Sequence, residues 1–268
     1  MLKPSGIITL CSDFGSAMGY VAQMKGVILK INPQARLVDV DHNIPARNIA
    51  CAALTLEHSA PYFSHGSVHL AVVDPGVGSS RRAIIIETDS AYFVGPDNGL
   101  FGFIRNSGQL QALYEIDTAR IAPAGNSATF HGRDIFAPAA ARLSLGEAPQ
   151  NFAGLCADFP QEMQTPENRE TPDSIEGCIL CSDTFGNLLT SITHAELDGL
   201  RSKHPQTALC LKYKNLEIPL VGTYSDLPQG AFLAYVGSGG QLEIAINGGN
   251  ARQKSGAAAG DKVLLKTR

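Results

Sequence analysis

No concentration of lysine and arginine occurs anywhere in the 268 residues, and the net charge at pH 7 is -4. Phosphate backbones are gripped by clustered cations, so a nucleic-acid surface is excluded. Long apolar runs are missing too, and none approaches the roughly 20 residues that a membrane helix needs. The opening Met1-Leu2-Lys3-Pro4-Ser5-Gly6 passes straight into a strand-like run, without the apolar stretch and small-residue cleavage site of a secretory signal. A cytoplasmic protein is expected. Cysteine is not paired in the manner of a metal site: Cys178 and Cys181 have the spacing of half a zinc site, but no second pair accompanies them and the segment alternates like a strand. Cys11, Cys51, Cys156 and Cys210 are scattered among mostly apolar neighbours, which suits buried thiols in a reducing compartment. No metal is expected. Two nucleotide-binding signatures are also absent. Gly76-Val77-Gly78 has no third glycine at dinucleotide spacing and leads into isoleucine-rich strand, and no Gly-Lys-Ser or Gly-Lys-Thr precedes a helix.

What is present is enough apolar material, 44% of residues, to fill one large domain or two ordinary ones. Gly6 to Cys11 reads as a short strand ending in Ser12-Asp13-Phe14-Gly15. Tyr20, Val21, Met24, Val27, Ile28 and Ile31 then recur at helical spacing until Asn32-Pro33, and Arg36 to Val40 forms a second strand. A β-α-β start of this kind implies a parallel sheet with right-handed crossovers. Asn48 caps a second helix that ends before Pro61. Ala91 to Val94 and Leu113 to Ile116 are further strands, and an alanine-rich helix is broken at Gly146.

The organising stretch is Val72-Val73-Asp74-Pro75-Gly76-Val77-Gly78-Ser79-Ser80-Arg81-Arg82, between strands at Val68 to Val73 and Ala83 to Ile86 that read as covered on both faces. Pro75 fixes one dihedral, and Gly76 and Gly78 permit close approach or positive φ. Asp74 and Arg81 at opposite ends of such a turn can pair bidentately and position a small polar molecule; a tight turn closed by a surface ion pair uses the same residues. The turn Gly95-Pro96-Asp97-Asn98-Gly99 is expected near this loop. His131, in Thr129-Phe130-His131-Gly132-Arg133-Asp134, sits at a loop-to-helix junction, where it either reaches a ligand or is satisfied by its own backbone.

Residues 158–174 break the composition, with Pro160, Pro166 and Pro172 in an acidic, aperiodic stretch. An α/β domain over 1–157, a linker over 158–174 and a second domain over 175–268 follow. Short strands separated by turns, at Cys178 to Cys181, Leu188 to Ile192, Ala208 to Leu211, Leu216 to Val221, Phe232 to Val236, Leu242 to Ile246 and Val263 to Leu265, suggest a small all-β antiparallel barrel without a long helix.

Taken in chain order, Ser12-Asp13-Phe14-Gly15, Val73-Asp74-Pro75-Gly76-Val77-Gly78 with Arg81, Gly95-Pro96-Asp97-Asn98-Gly99, Phe130-His131-Gly132-Arg133-Asp134, Asp183-Thr184-Phe185-Gly186-Asn187, Gly237-Ser238-Gly239-Gly240 and Asn247-Gly248-Gly249-Asn250-Ala251 resemble the S-adenosyl-L-methionine hydroxide adenosyltransferases, the hydrolase branch of the fluorinase/chlorinase-like family. The resemblance implies an α/β domain with a mainly parallel sheet followed by a β-barrel domain, and a homotrimer whose active sites lie between one subunit's first domain and its neighbour's second. The reaction implied is S-adenosyl-L-methionine plus water giving adenosine and L-methionine, with no cofactor, since S-adenosyl-L-methionine is the substrate. Asp74, Arg81 and His131 would hold the water, with Asp74 as orienter, Arg81 as electrostatic support and His131 as proton acceptor. Asp13 would accept the ribose hydroxyls, Asp183 the methionine ammonium, and Asn187 would meet the adenine edge. Phe185, Tyr235 and Ser238 would line the same pocket. Met18 stands where many members carry an acidic residue, and Gly239 where the halogenating branch carries an arginine.

Two other functions use the same resemblance. Halogenation needs a halide site with neutral donors, and Asp74 would put like charge beside the halide; the halogenating branch has an aromatic residue at position 74, Tyr at 131 and a hydroxyl side chain at 132, where this chain has Asp74, His131 and Gly132. A nucleoside- or S-adenosyl-L-methionine-binding protein without turnover would need the pocket and not the triad.

Overall fold

The computed structural model describes residues 2–122, 127–162 and 167–268, and the chain divides into two compact units, 1–164 and 165–268. The first unit runs β1 (Ile7–Ser12), α1 (Tyr20–Ile31), β2 (Arg36–Asp41), α2 (Ile49–Ser59), β3 (Ser67–Val72), β4 (Ala83–Thr88), β5 (Ala91–Pro96), α3 (Gly102–Ser107), β6 (Leu110–Ile116), α4 (Thr118–Ile121), α5 (Ala137–Ser144) and β7 (Ala153–Cys156). Its sheet has the order β2-β1-β3-β5-β4-β6-β7. β2, β1, β3 and β5 are mutually parallel, while β4 runs antiparallel to both its neighbours and β7 antiparallel to β6. Asp89-Ser90 turns the chain directly from β4 into β5, and a connection that short closes a hairpin, so the sheet is mixed and mainly parallel.

Position in the sheet explains the apolar runs. β3 and β5 have strands on both sides and are buried at every residue, whereas the edge strand β2 leaves Arg36, Val38 and Asp39 exposed. Met24 and Ile28, one turn apart on α1, pack with Ala139, Ala140 and Leu143 of α5 and with Ile8, Leu10, Val68 and Leu70 of the sheet. Each such aliphatic side chain contributes about 1.5–3 kcal/mol on burial. Asn48 caps α2 by accepting from Cys51 N at 2.9 Å. α5 is entered through a single π-helical turn, Gly132–Phe136, the kind of distortion often found beside functional residues.

The second unit comprises β8 (Arg169–Glu170), β9 (Ser174–Ser182), β10 (Leu188–Thr193), α6 (His194–Lys203), β11 (Leu209–Tyr213), β12 (Leu216–Pro219), β13 (Phe232–Val236), β14 (Gln241–Ile246), α7 (Ala251–Ser255) and β15 (Lys262–Thr267). Its strands follow the antiparallel path β12-β11-β15-β9-β10-β14-β13, with β8 beside β9. β9 pairs with β15 through its first half and with β10 through its second, which bends the sheet on itself. A bridge from Leu220 to Ala234 of β13 brings the two ends of the path together, so the barrel is nearly closed. The expectation of no long helix is corrected by the ten-residue α6. Thr193 and Glu196 form a capping box at its start, and Leu197 and Leu200 are its buried residues. Two apolar anchors make a weak periodic signal, but Thr193-His194-Ala195-Glu196 was the readable one.

The stretch expected as a linker is tied at each end to the unit beside it. Asp158 pairs with Arg82 at 2.9 Å and Gln161 N donates to Asp97 at 2.7 Å, while Asn168 Nδ2 donates to Ser191 O at 2.9 Å. Residues 163–166 lie outside the described residues. No disulfide forms among the described residues, and Cys11, Cys51, Cys178, Cys181 and Cys210 are buried.

Candidate active site

The carboxyl ends of β1, β3 and β5 lie side by side: Ser12 is in register with Val72, and Leu70 with Val94. Asp13, Asp74 and the 95–99 turn therefore leave the sheet on the same edge, where open α/β sheets bind ligands. Asn98 Nδ2 donates to Val73 O at 2.9 Å, which ties the turn to the residue before Asp74. Asp97, almost wholly buried, accepts from Arg82 Nε at 2.9 Å and Nη2 at 2.7 Å. The turn thus braces the loop, as its sequence position suggested.

Within the loop, Val77 N donates to Asp74 O and Ser79 N to Gly76 O, two consecutive turns that return the chain toward β4. Gly78 has φ +77°, and a Cβ there would lie 2.6 Å from Ala128 O. Only a glycine lets this loop rest against the one that leads to His131. Arg81 then reaches back across the turn. Its Nε donates to Asp74 Oδ1 at 2.9 Å and Oδ2 at 3.0 Å, and its Nη2 to Oδ2 at 2.5 Å. The two side chains are 8% and 4% exposed, so this is a buried fork and not a solvated surface pair. The guanidinium also lies over the Phe136 ring at 5.2 Å.

Arg81 Nη2 donates to His131 Nδ1 at 2.7 Å, which joins the three expected triad members into one cluster. A guanidinium N–H can only donate, so Nδ1 is the acceptor and the imidazole proton resides on Nε2. Burial, then the Arg81 charge, hold the His131 pKa below its ordinary value against the opposing pull of Asp74 and Asp134, which keeps the ring neutral. His131 thus offers a ligand a donor at Nε2. The sequence-based role of proton acceptor meets an obstacle here: the Nδ1 lone pair that would take a proton is already engaged by Arg81.

Asp13 Oδ2 accepts from Arg47 N at 2.8 Å. The adjoining Phe14 packs edge-on against Phe130 at 5.7 Å, and Tyr20 closes the cluster at 6.0 Å from Phe14 and 5.3 Å from Phe130. A Cβ on Gly132 would come within 3.2 Å of Phe14 and 3.3 Å of Met24 Sδ, so that position is tight for any side chain. The Asp13 loop and the His131 loop are thereby neighbours.

In the second unit, Asp183 Oδ1 accepts from Phe185 N at 3.0 Å and Asn187 N at 2.8 Å, and Oδ2 accepts from Asn187 Nδ2 at 2.8 Å. Gly186, φ +87°, lies where any Cβ would strike the Asn250 side chain. Phe185 and Asn187 line a cavity of about 470 Å³ with Tyr224, Ile246, Gly248 and Gly249. Tyr235 is linked to this wall through its hydroxyl, 2.5 Å from that of Tyr224, and donates to Glu243 at 2.5 Å. Ser238 is exposed on the turn between β13 and β14. Sequence reasoning missed Tyr224 and Glu243. The signal for Glu243 was a lone acid in an apolar strand, directly across from Tyr235 in the ladder; Tyr224 opens a three-residue 3-10 helix, Tyr224–Asp226, too short for periodicity to mark it.

Chemically, the first unit's cluster presents an anion, a cation and a neutral donor within hydrogen-bond reach of one another, the set needed to orient a small oxygen nucleophile. The second unit's cavity, walled by two aromatic rings and two glycines, suits a flat heterocycle.

Comparison with known proteins covers both units. Residues 8–153 match the SAM hydroxide adenosyltransferase N-terminal domain and residues 177–264 the corresponding C-terminal domain. The (R)-S-adenosyl-L-methionine hydrolase of Thermus thermophilus is 37% identical over 261 residues, covering 95% of this chain and 97% of the relative. That of Salinispora tropica is 37% identical over 267 residues, covering 98% and 99%. A fluorinase from an Actinoplanes species is more distant, 26% identical over 274 residues, covering 90% and 91%. Among solved structures, an uncharacterized conserved protein from Thermotoga maritima superposes with a TM-score of 0.85 at 30% identity, covering 97% of this chain and 99% of the other. The chain belongs to the SAM hydroxide adenosyltransferase family.

Proposed function

We propose that this chain hydrolyses S-adenosyl-L-methionine to adenosine and L-methionine by attack of water at the ribose 5′ carbon. The observation that carries the reading is the one hydrogen-bonded cluster that joins Asp74, Arg81 and His131, in a chain whose relatives at 37% identity are named (R)-S-adenosyl-L-methionine hydrolases. The leaving group is a sulfonium that departs as a neutral thioether, so no acid is needed to expel it. What remains is to aim the nucleophile and receive its proton.

A water donating to Asp74 and accepting from His131 Nε2 keeps one lone pair for the carbon opposite the carbon–sulfur bond. As the new carbon–oxygen bond forms, a proton passes to Asp74 and on to solvent. Arg81, donating to both Asp74 oxygens, keeps that carboxylate ionised and aimed at the water until it takes the proton. Alignment of this kind is worth up to about 7–11 kcal/mol of the barrier. Asp13 takes the ribose hydroxyls through its two oxygens, and Asp183 takes the methionine ammonium beside the three hydrogen bonds it already accepts. Phe185, Asn187, Tyr235 and Ser238 complete the nucleoside side. A homotrimer and a cytoplasmic location belong to the same proposal; among the described residues no helix is long and apolar enough to cross a membrane, and light scattering of the purified protein reports the assembly.

The test is incubation of purified protein with S-adenosyl-L-methionine in chloride-free and chloride-containing buffer, with chromatographic identification of products. Adenosine and methionine in equal amounts in both buffers are expected. No adenosine above the uncatalysed background defeats the proposal, and a chlorinated nucleoside in the second buffer redirects it to halogenation.

A further inference from the structure

The amide of Asn187 is held by two acceptors of fixed polarity. Nδ2 donates to Asp183 Oδ2 at 2.8 Å and to Tyr224 Oη at 3.1 Å, which uses both amide hydrogens. The opposite amide orientation would press the carbonyl oxygen against a carboxylate oxygen, so Asp183 forbids it. The second restraint is set farther away. Glu243 accepts from Tyr235, so the short Tyr224–Tyr235 contact must take its hydrogen from Tyr224, and Tyr224 Oη is left to accept from Asn187. Two carboxylates, one adjacent and one relayed through two phenols, impose the same orientation. The hydrogen-bonding capacity that Asn187 retains for a ligand in the cavity is the acceptor Oδ1.

We propose that Asp183 and Glu243, the latter through Tyr235 and Tyr224, are positioning residues that hold Asn187 as an acceptor and thereby make the cavity select a 6-aminopurine over a 6-oxopurine. The inference rests on the hydrolase reading above, since that reading supplies a purine nucleoside for the cavity. A 6-amino group donates to Oδ1, whereas a 6-oxo group sets acceptor against acceptor in a partly desolvated wall. Leaving a buried acceptor without a donor costs about 10- to 100-fold in affinity.

The experiment compares kcat/KM for S-adenosyl-L-methionine with that for its deaminated analogue S-inosyl-L-methionine, in the unaltered protein and in Asp183→Asn, Glu243→Gln and the double variant. Each exchange is close to isosteric. Asparagine at 183 keeps an oxygen for the Phe185 and Asn187 N–H groups and replaces only the acceptor that pins the amide. The unaltered protein is expected to prefer the amino substrate by about 10- to 100-fold, each single variant to narrow that ratio and the double variant to bring it near unity or invert it. Effects common to both substrates, including a weakened ammonium contact at 183, cancel in the ratio. Equal turnover of both substrates by the unaltered protein overturns the inference, as does an undiminished preference in the double variant. If S-adenosyl-L-methionine is not hydrolysed at all, the hydrolase reading fails, and the inference is judged on calorimetric binding of adenosine against inosine to the same proteins, with the same ratios expected.

Discussion

Replacement of His131 by glutamine separates two mechanisms that alanine leaves entangled. Glutamine reproduces the polarity of the ring as it stands: its oxygen accepts from Arg81 Nη2, now 2.7 Å from Nδ1, and its amide donates where Nε2 does. It cannot take a proton at neutral pH. If His131 acts as a donor to the nucleophile, His131→Gln retains kcat within about tenfold of the unaltered enzyme. His131→Ala, which removes the donor and strips Arg81 of one partner, loses about 10²–10³-fold, the range measured when a single preorganised donor is deleted. If His131 is instead the general base, glutamine is as damaging as alanine, about 10²–10⁴-fold. The assay is initial adenosine formation at saturating S-adenosyl-L-methionine, with KM measured in parallel. Equal losses in the glutamine and alanine variants refute the donor role and return the proton to the imidazole.

Asp74→Ala is expected to cut turnover by orders of magnitude with little effect on substrate affinity, and Asp13→Ala to weaken binding first; calorimetry with each variant separates the two, and a reversed pattern removes both assignments. If the neutral ring acts as proposed, turnover should hold below pH 6.5 and fall only as the pH drops through the depressed His131 pKa; a loss centred above 6.5 contradicts this. His69, buried against Thr9 and Phe93, has its pKa pushed down to about 4 by burial. The unfolded chain therefore binds a proton that the folded one refuses, so stability is full above pH 6.5 and declines as the pH falls toward 4, by about 3 kcal/mol in all. Denaturant titrations at pH 7.5 and 4.5, repeated with His69→Phe, should show the slope and its loss. Gly78→Ala is expected to displace the loop through the 2.6 Å approach to Ala128 O and to lower kcat by at least tenfold at modest cost in stability; unchanged kcat removes that contact from the site's architecture.

The sequence made the first unit's parallel core legible because β3 and β5 are buried on both faces and so carry unbroken apolar runs. It did not reveal that β4 runs against its neighbours, since pairing direction depends on partners and not on the strand's own residues. Asp74 and Arg81 were readable as a pair from their places at the two ends of one stiff loop. His131, 50 residues beyond Arg81, was linked to them by resemblance alone, because convergence across that distance leaves no periodic trace. The tautomer of His131 and the orientation of Asn187 are properties of hydrogen-bond partners, and they emerge only when donors and acceptors are assigned in three dimensions. Asp183 was named by resemblance alone, and the structure adds the hydrogen bonds it accepts from Phe185 N, Asn187 N and Asn187 Nδ2.

The distribution of sulfur in this chain has a practical consequence. Cys11 sits so deep that burial, with Asp41, Cys51 and Asp13 nearby, pushes its thiol up to about 12, and Cys51, Cys178, Cys181 and Cys210 are likewise screened from solvent. Alkylating reagents attack the thiolate, so a native molecule presents them with the half-buried Cys156, itself slowed by burial, and a denatured one presents all six. Mass added beyond a single adduct on brief alkylation therefore counts unfolded molecules, which lets the fold of every variant be checked in the same vessel as its activity.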